Sequence, residues 1–399
     1  MELRDRLEEI LGEGKSEALI KSTGGIQHYV PGQSLLTEYG SCYCVSTEYP
    51  AGYMYGHHSL GSVMELDAES VCVAGKDSRF FSFDTKDCIF LDAETTGLHG
   101  GAGTCAFLIG VGFYEGDTFH VQQIFMRDYD EETALLSTLS RLVKNRRFIV
   151  TYNGKSFDVP LIESRLIMSR MKAVFSSVEH LDLLHAARRV WGRSLEDCRL
   201  HTVEQRVLGV KRLRDMPGEE IPSRFFAFVS SGDASGLPLV FEHNRNDVLF
   251  LPVLMKEVCG AVKDVTHRTL SPIDLYSIGV VYDSLSKRNE TLPFYRKALK
   301  SLRGSARAAV AYRLGMTYKR LGRWDEAVSA WKRLLESDTY GAYEELAKYY
   351  EHVSRELDEA EAVVVKALNI FRGTIYEGKL EHRRRRIVRK LRPGVHLGS

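Results

Sequence analysis

Long apolar runs are missing from this chain of 399 residues. A membrane-spanning helix needs about eighteen consecutive apolar residues, and no stretch of this chain approaches that length. We therefore expect no membrane-spanning segment. The first ten residues have the pattern of a charged helix and lack the apolar core of a signal peptide. These absences favour a cytoplasmic protein. With 44% hydrophobic and 27% charged residues, the chain is expected to fold into two or three globular domains.

Cysteine frameworks and a strong net charge are also missing. The seven cysteines include no Cys-x-x-Cys pair, which indicates reduced thiols. Cys42 and Cys44, with His57 and His58 nearby, fit no common zinc template. The net charge of +1 gives no overall attraction to nucleic acid, so such binding would depend on local basic patches.

A phosphate-binding P-loop is absent as well. Gly97, Gly100, Gly101 and Gly103 form a glycine-rich stretch, but the Lys-Ser/Thr pair of a P-loop does not follow it. Apolar β-type runs lie on both sides of the stretch. A hairpin turn between two strands is therefore the preferred interpretation.

The chain does contain the octet Phe-Leu-Asp-Ala-Glu-Thr-Thr-Gly at residues 90–97. The short apolar run before Asp92 predicts a buried strand, and alternation along a strand puts Asp92 and Glu94 on one face. Two carboxylates held together repel each other unless a cation lies between them, and oxygen ligands suit Mg²⁺ or Mn²⁺. A bare Asp-x-Glu is more often a solvated strand end, whereas the whole octet favours a metal site.

Two further segments carry acidic residues that could join this pair. A β-rich run at 148–151 enters an Asn-Gly turn, and Asp158 follows where a helical pattern begins. An ordinary helix N-cap is the alternative interpretation of Asp158. Farther along, His243 and Asp247 stand four positions apart in a predicted helix and therefore share a face. A plain surface contact between them is the alternative.

These three segments, in this order, resemble the three exonuclease motifs of the DEDD (DnaQ-like) superfamily of 3′–5′ exonucleases, which has an RNase H-like fold. The resemblance covers roughly residues 87–262. The chain is also similar to the bacterial YprB-type family of RNase H-like proteins with C-terminal tetratricopeptide repeats. It departs from the better-known subgroups in one respect, because three residues separate His243 from Asp247, a spacing that accompanies Tyr rather than His.

By motif position, the resemblance implies that two divalent ions, Mg²⁺ or Mn²⁺, bind to Asp92, Glu94, Asp158 and Asp247. Two ions about 3.5–4 Å apart can clamp the attacking and leaving oxygens of a phosphodiester. His243 occupies the motif position of the general base, and an imidazole that titrates near neutrality can accept a proton from water. The implied reaction is 3′–5′ exonucleolytic hydrolysis of single-stranded DNA or RNA, with release of nucleoside 5′-monophosphates.

We expect four parts along the chain. The nuclease part is predicted to be an α/β RNase H-like domain, a mixed five-stranded sheet flanked by helices. The part before it contains β-like runs at 41–45 and 70–74 and is expected to pack on the nuclease domain. The predicted parts are an N-terminal accessory region at 1–85, the nuclease domain at 86–265, an all-α repeat domain at 270–372 and a basic C-terminal tail at 373–399.

The predicted repeats are marked by Gly279, Gly315 and Ala347, each followed three positions later by Tyr. Their spacing of about 34 residues resembles tetratricopeptide repeats. Small residues at these positions would let paired helices cross closely. A protein partner on the repeats is one expectation, and helices that merely cap the nuclease domain are the alternative. The basic run from His382 to Arg386, continuing through Arg389 and Lys390, is either a solvated tail or an anchor for nucleic-acid phosphates.

Two functions of different class are compatible with these patterns. The first is a metal-dependent exonuclease on single-stranded nucleic acid. The second is a catalytically idle RNase H-like module that binds nucleic acid or acts as a scaffold through its helical repeats. The presence of all four carboxylates favours the first function. The spacing of His243 and the near-neutral net charge favour the second.

Overall fold

The computed structural model describes residues 25–97 and 103–392. The predicted helix of the first ten residues, Gly100 and Gly101 of the predicted hairpin turn, and the last seven residues lie outside these ranges. The chain divides into two compact units, Met1–Lys263 and Asp264–Ser399.

A seven-stranded mixed sheet forms the centre of the first unit, in the order β1-β2-β7-β6-β5-β8-β9. Its middle strands are continuous apolar runs, which is the pattern of strands covered on both faces. A separate two-stranded ribbon joins β3 to β4. The strands are β1 (Gln33–Thr37), β2 (Gly40–Tyr49), β3 (Met54–Tyr55), β4 (His58–Ser59), β5 (Cys88–Thr95), β6 (Ala106–Glu115), β7 (Thr118–Phe125), β8 (Phe148–Thr151) and β9 (Glu179–Asp182).

The predicted RNase H-like fold class is confirmed, and the sheet has two more strands than the five predicted. Strand β5 pairs antiparallel with β6 and parallel with β8, which makes the sheet mixed. The additional strands β1 and β2 come from the N-terminal segment. Strand β2 extends the sheet by pairing with β7 from Tyr43 opposite Phe125 to Tyr49 opposite Phe119. Because that pairing joins residues far apart in the chain, local sequence patterns do not reveal it.

Helices flank the sheet on both faces. One prediction for this unit is wrong, because residues 70–74, expected as β-like, belong to helix α2. The Asp67 side chain caps that helix by accepting a hydrogen bond from the Ser70 amide. The helices are α1 (Ile26–Tyr29), α2 (Ala68–Gly75), α3 (Glu132–Val143), α4 (Asp158–Met168), α5 (Leu183–Trp191), α6 (Leu200–Val203), α7 (Ile221–Ser231) and α8 (Leu237–Lys263).

Helix α8 packs directly on strands β5 and β6. Two glycines of β6 permit this approach. A Cβ atom on Gly110 would lie 2.3 Å from Asn244 Oδ1, and one on Gly112 would lie 2.8 Å from a Val248 methyl group. Glycine within a strand is typical of such a close approach. The helix that carries His243 and Asp247 is thereby brought next to the strand that carries Asp92.

The described part of the second unit is helical. Consecutive helices pack on one another, and two glycines lie at the crossings. A Cβ atom on Gly279 would lie 2.3 Å from the Tyr295 ring, and one on Gly315 would lie 2.3 Å from the Trp331 indole, so the predicted close crossings are confirmed there. The helices are α9 (Pro272–Ser284), α10 (Arg288–Ser301), α11 (Gly304–Arg320), α12 (Trp324–Leu334), α13 (Tyr340–His352), α14 (Leu357–Ile370) and α15 (Glu377–Leu391).

The predicted basic tail is largely a helix. Helix α15 packs on α14, and three of its cations converge on the buried Glu351 of α13. The distances to Glu351 are 3.2 Å from Arg383 Nη1, 2.7 Å from Arg386 Nε and 2.8 Å from Lys390 Nζ. Burial alone would raise the pKa of Glu351, but Arg386 and Lys390 lower it to about 2. Across the described ranges, no helix combines the length and hydropathy needed to cross a bilayer.

Candidate active site

Strand β5 presents Asp92 and Glu94 at the end of its buried segment. The side chains of Cys88 to Leu91 are buried, and those from Asp92 onward are partly exposed. Pairing with β8 ends at Phe90, while β6 continues alongside with an irregular register at Glu94. The strand therefore runs beyond its parallel neighbour. Its two carboxylates share one face, where a ligand can reach them.

Asp158 is the first residue of helix α4, directly after the turn that follows β8. The N-cap position is Phe157, so Asp158 is not the ordinary cap considered above. Asp182, at the end of β9, fixes this turn by accepting hydrogen bonds from the amides of Asn153 at 2.9 Å and Lys155 at 3.1 Å. Asn153 has a positive φ of 68°, which an Asn tolerates in such a turn. The turn thus holds Asp158 at the end of the sheet.

Asn244 of helix α8 connects that helix to Asp92. Its side chain is fully buried, and its amide nitrogen donates to Asp92 Oδ2 at 2.9 Å. The amide oxygen of Asn244 accepts a hydrogen bond of 2.9 Å from Gln123 Nε2. Gln123 Nε2 also donates to the carbonyl of Phe241, which can only accept, so the orientation of both amides is determined. Gln123 and Asn244 together orient the carboxylate of Asp92.

His243 lies between two carboxylates. Its Nδ1 is 2.7 Å from Asp215 Oδ1, and its Nε2 is 3.5 Å from Asp247 Oδ2. Burial alone would lower the pKa of His243, but the carboxylates of Asp247, Glu94 and Asp215 outweigh it and raise the pKa above its ordinary value. In this arrangement the imidazole favours the protonated form.

Arg212 forms a buried ion-pair network behind Asp247. Its Nη2 donates to Asp247 Oδ1 at 2.5 Å, and its Nε lies 2.9 Å from Glu204. Glu204 sits in a single turn of π-helix, Glu204–Leu208, and also accepts a hydrogen bond from Tyr55. The guanidinium thus holds one oxygen of Asp247 and leaves the other oriented toward His243.

Three of the predicted metal-binding acids have raised pKa values. Burial is the first cause in each case. For Asp92, the charges of Asp247, Glu94 and Asp158 add to burial and raise the pKa well above its ordinary range. Burial and neighbouring carboxylates also raise the pKa of Glu94 to about 8, against the opposing effect of His243, and that of Asp158 to about 7. The electrostatic effects connect all four carboxylates and His243 in one cluster.

The donor set of this cluster fits a hard divalent cation. Carboxylate oxygens are the ligands that Mg²⁺ and Mn²⁺ prefer, and bound positive charge would remove the repulsion that raises these pKa values. The ligands are not preassembled, since among residues 25–97 and 103–392 no three His, Cys, Asp or Glu side chains are grouped so that they could hold a metal ion. Asp247 is engaged by Arg212, and Asp92 by Asn244. A cation would have to draw the carboxylates inward.

A second histidine–aspartate pair, His180 and Asp182, makes structural contacts. His180 Nε2 contacts Thr151 Oγ1 at 2.8 Å, and burial and Lys155 lower the pKa of His180 to about 4. Asp182 caps helix α5 through the Leu184 amide, in addition to holding the turn before Asp158.

Several residues of the site were not identified from the sequence as site residues, namely Gln123, Glu204, Arg212, Asp215 and Asn244. Gln123 and Glu204 belong to no motif. In the sequence, Arg212 is indistinguishable from the many other cations expected at the surface. Asn244 does lie within one of the three segments that carry the family resemblance. The sequence could have indicated Asn244 as a site residue, because it lies between His243 and Asp247 in a helix whose following residues are apolar.

The comparisons with known proteins agree with this geometry. The model of the RNase H superfamily matches residues 89–259, the segment from β5 to α8 that holds all five predicted site residues. The fold and the match define an RNase H-like protein, and membership of that superfamily indicates a nuclease acting on nucleic acid. RNase H-like nucleases typically use divalent metal ions.

One relative extends this likeness beyond the matched domain. The chain is 30% identical over 342 residues to a protein of Bacillus subtilis (strain 168) named "Uncharacterized protein YprB". The alignment covers 82% of this chain and 81% of the relative. The chain therefore belongs to the family of RNase H-like proteins that includes YprB.

Proposed function

We propose that this protein is a metal-dependent 3′–5′ exonuclease that releases nucleoside 5′-monophosphates from single-stranded DNA or RNA. The observation that supports it is the cluster of Asp92, Glu94, Asp158 and Asp247 with His243 at the end of strand β5. Burial and the charge of neighbouring carboxylates raise the pKa values of Asp92, Glu94 and Asp158, so the charged forms of these three side chains are unfavourable in the absence of a cation. Such a cluster is expected where cations and phosphate meet.

Asp92, Glu94, Asp158 and Asp247 would hold two ions of Mg²⁺ or Mn²⁺. Such ions supply positive charge that stabilises the phosphoryl transition state and make the attacking water more acidic. Asn244 keeps one oxygen of Asp92 fixed by its 2.9 Å hydrogen bond, which leaves the other oxygen available. Arg212 likewise holds Oδ1 of Asp247 and leaves its Oδ2 for a metal ion.

His243 would accept the proton of the attacking water. Nδ1 of His243 donates a hydrogen bond to Asp215, so that Nε2, on the side of Asp247, is the nitrogen that would accept the proton. Once Glu94 and Asp247 are neutralised by bound cations, the pKa of His243 falls toward its ordinary value, because two of the three carboxylates that raise it no longer act. Occupation of the site and activation of the base are therefore coupled.

An exposed aromatic side chain supports a single-stranded substrate. Phe157 precedes Asp158 and remains 56% exposed. Aromatic rings beside a nuclease site can stack on an unpaired base, with a gain of about 1–3 kcal/mol per base. The end of a duplex provides an unpaired base only after its terminal base pairs open, so this contact favours a single-stranded substrate. We further propose a cytoplasmic location and tetratricopeptide-like repeats in helices α9 to α14, with a surface for a protein partner.

A second candidate function rests on the ion pair between Arg212 and Asp247. If Arg212 keeps Oδ1 of Asp247 and His243 stays beside Oδ2, Asp247 cannot serve as a metal ligand. The absence of a preassembled ligand group among the described residues would then be the lasting state. The protein would be a catalytically idle RNase H-like module that binds nucleic acid or serves as a scaffold.

Cleavage of 5′-labelled single-stranded DNA and RNA oligonucleotides tests the proposal. In Mn²⁺ we expect a ladder that shortens from the 3′ end, and in EDTA an intact substrate. A 3′-terminal phosphorothioate and a circular single strand serve as matched substrates that an exonuclease of this polarity degrades slowly or not at all. Loss of the ladder with Asp92→Asn would show that the activity belongs to this site. Wild-type protein without metal-dependent cleavage would favour the idle module.

A further inference from the structure

The charge of the chain is divided unequally between its two units. Residues 1–263 contain 28 Lys and Arg against 36 Asp and Glu, a net charge of −8, whereas residues 264–399 contain 26 against 17, a net charge of +9. The overall charge of +1 conceals this difference. A polyanion would be repelled by the average field of the first unit and attracted by that of the second.

Part of this positive charge lines a groove of about 740 Å³ in the second unit. Side chains of helices α10, α11 and α12 line it, and Tyr318 of α11 is one of them. The five cations that line it are exposed: two lie one helical turn apart on α10, two lie at the start of α11, and one lies on α12. They are Arg296, Lys300, Arg303, Arg307 and Arg333.

These cations have few partners of opposite charge. Arg303 and Arg307 donate to carbonyls at the end of α10, among them Leu302 and Leu299, which is the usual capping role of Arg at a helix C-terminus. A purely structural role would account for these two. It does not account for Lys300 and Arg333, whose exposed side chains make no hydrogen bond or ion pair within the described part of the chain; the Lys300 carbonyl alone accepts one, from Arg303.

The remaining polar groups of the groove do not neutralise it. Arg296 donates to the hydroxyl of Tyr318, a neutral partner, at 2.9 Å. The acidic residue of the lining, Glu326, is already paired with Arg323, which also stacks on Tyr318 at 4.9 Å from the ring centroid. Tyr318 is therefore covered by cations and cannot stack on a base. The groove offers positive charge and N–H donors rather than a base-binding pocket.

We propose that this groove binds the sugar–phosphate backbone of the single-stranded nucleic acid on which the first unit acts. The identity of the anion rests on the proposed function, because an acidic catalytic unit requires another source of attraction for its substrate. Guanidinium groups suit phosphate geometry, and the lack of a free aromatic face predicts binding without base preference. An acidic peptide is the competing ligand.

Fluorescence anisotropy of the full chain with a labelled dT20 oligonucleotide in EDTA tests the groove without any cleavage. The variant is Lys300→Gln/Arg333→Gln, and the matched control is Lys366→Gln/Lys379→Gln, which removes the same charge from exposed lysines of the same unit. With a salt slope of about −0.7 per phosphate contact, loss of two contacts should weaken binding about 25-fold at 0.1 M salt. The slope itself should fall by about 1.4.

The outcomes separate this proposal from the proposed function. If both double variants weaken dT20 binding equally, the effect is one of general charge and the proposal for the groove is wrong. Unchanged dT20 binding by Lys300→Gln/Arg333→Gln would also overturn the proposal. Displacement of dT20 by a poly-Glu peptide of equal charge at equal concentration would assign the groove to acidic protein instead. The p-nitrophenyl ester of thymidine 5′-monophosphate is too small to require the groove. Its cleavage in Mn²⁺ therefore reports on the catalytic site alone. Both double variants should retain it.

Discussion

Replacing Asp158 by Asn should make the metal-free protein more stable at pH 8. The carboxyl of Asp158 has a pKa of about 7, mainly because of burial and then because of Asp182 and Asp247. Asn has nearly the same shape and no charge. The substitution therefore removes an electrostatic penalty and leaves the packing at the start of helix α4 in place.

The sign and size follow from the shifted pKa. A carboxyl whose folded pKa lies above its unfolded value of 3.8 carries no penalty below about pH 4, and the penalty develops as the pH rises toward 7. A shift of this size corresponds to at most about 4 kcal/mol at about 1.4 kcal/mol per pKa unit. Because the side chain is partly exposed and water screens it, we expect about 2 kcal/mol, or about 4–8 °C in Tm.

Thermal unfolding followed by circular dichroism at pH 5 and pH 8 in EDTA measures this effect. Asp158→Asn should raise Tm at both pH values, by about 2.5 times as much at pH 8 as at pH 5. Asp117→Asn, in the exposed turn between β6 and β7, is the matched control and should leave Tm unchanged at both pH values. Added Mn²⁺ should raise the Tm of the wild type more than that of Asp158→Asn, because a ligand that binds only the folded state stabilises it.

Two results would refute this reasoning. A lower Tm for Asp158→Asn at pH 8 in EDTA would mean that the carboxylate stabilises the fold, as a helix cap does. An equal rise at pH 5 and pH 8 would mean that the gain is not electrostatic. The same variant should lose cleavage in Mn²⁺, and wild-type cleavage rates would show that Asp158 binds no metal.

Two further predictions concern helix α8. His243→Ala should slow cleavage by about 10²- to 10⁴-fold without weakening Mn²⁺ binding, and His243→Tyr should restore part of the rate because the three-residue spacing to Asp247 accompanies Tyr in related enzymes; a rate for His243→Ala within about threefold of wild type would remove His243 from the mechanism. Gly110→Ala should lower stability by about 1–3 kcal/mol in urea unfolding and reduce cleavage, because the new Cβ would lie 2.3 Å from Asn244 Oδ1. Gly218→Ala, where a Cβ meets no atom within 4 Å, is the control, and equal effects of the two substitutions would contradict the packing argument.

The elements that carry the predicted site residues could be derived from the sequence because each rests on a local pattern. The apolar run before Asp92 and the Asn-Gly turn before Asp158 are signals within a few residues of the acids. The i, i+4 spacing of His243 and Asp247 likewise follows from one helix. The structure places Asp92 and Glu94 on β5, Asp158 at the start of α4, and His243 and Asp247 on α8.

What could not be derived depends on contacts between distant segments. Gln123 on β7 orients Asn244 on α8, and the two are 121 positions apart. Tyr55 donates a hydrogen bond to Glu204, 149 positions farther along the chain. Neither residue lies in a sequence pattern that would predict this contact. The glycines at 110 and 112 were a usable signal, because glycine at alternate positions of an apolar strand indicates that another element approaches closely. The strands before Cys88 were missed as members of the sheet for the same non-local reason.

The arrangement around Asp92 argues against the plain structural interpretations of these acids. A solvated strand end would relax by turning its carboxylate toward water. Here Asn244, itself buried and fixed by Gln123, holds the Asp92 carboxylate in place while burial and three neighbouring acids raise its pKa. Because raised carboxyl pKa values oppose folding at neutral pH, we expect this cluster, held by buried hydrogen bonds, to lower the stability of the first unit when no cation is bound. Such a conflict between packing and electrostatics is expected at a functional site, and a bound cation is the species that would resolve it.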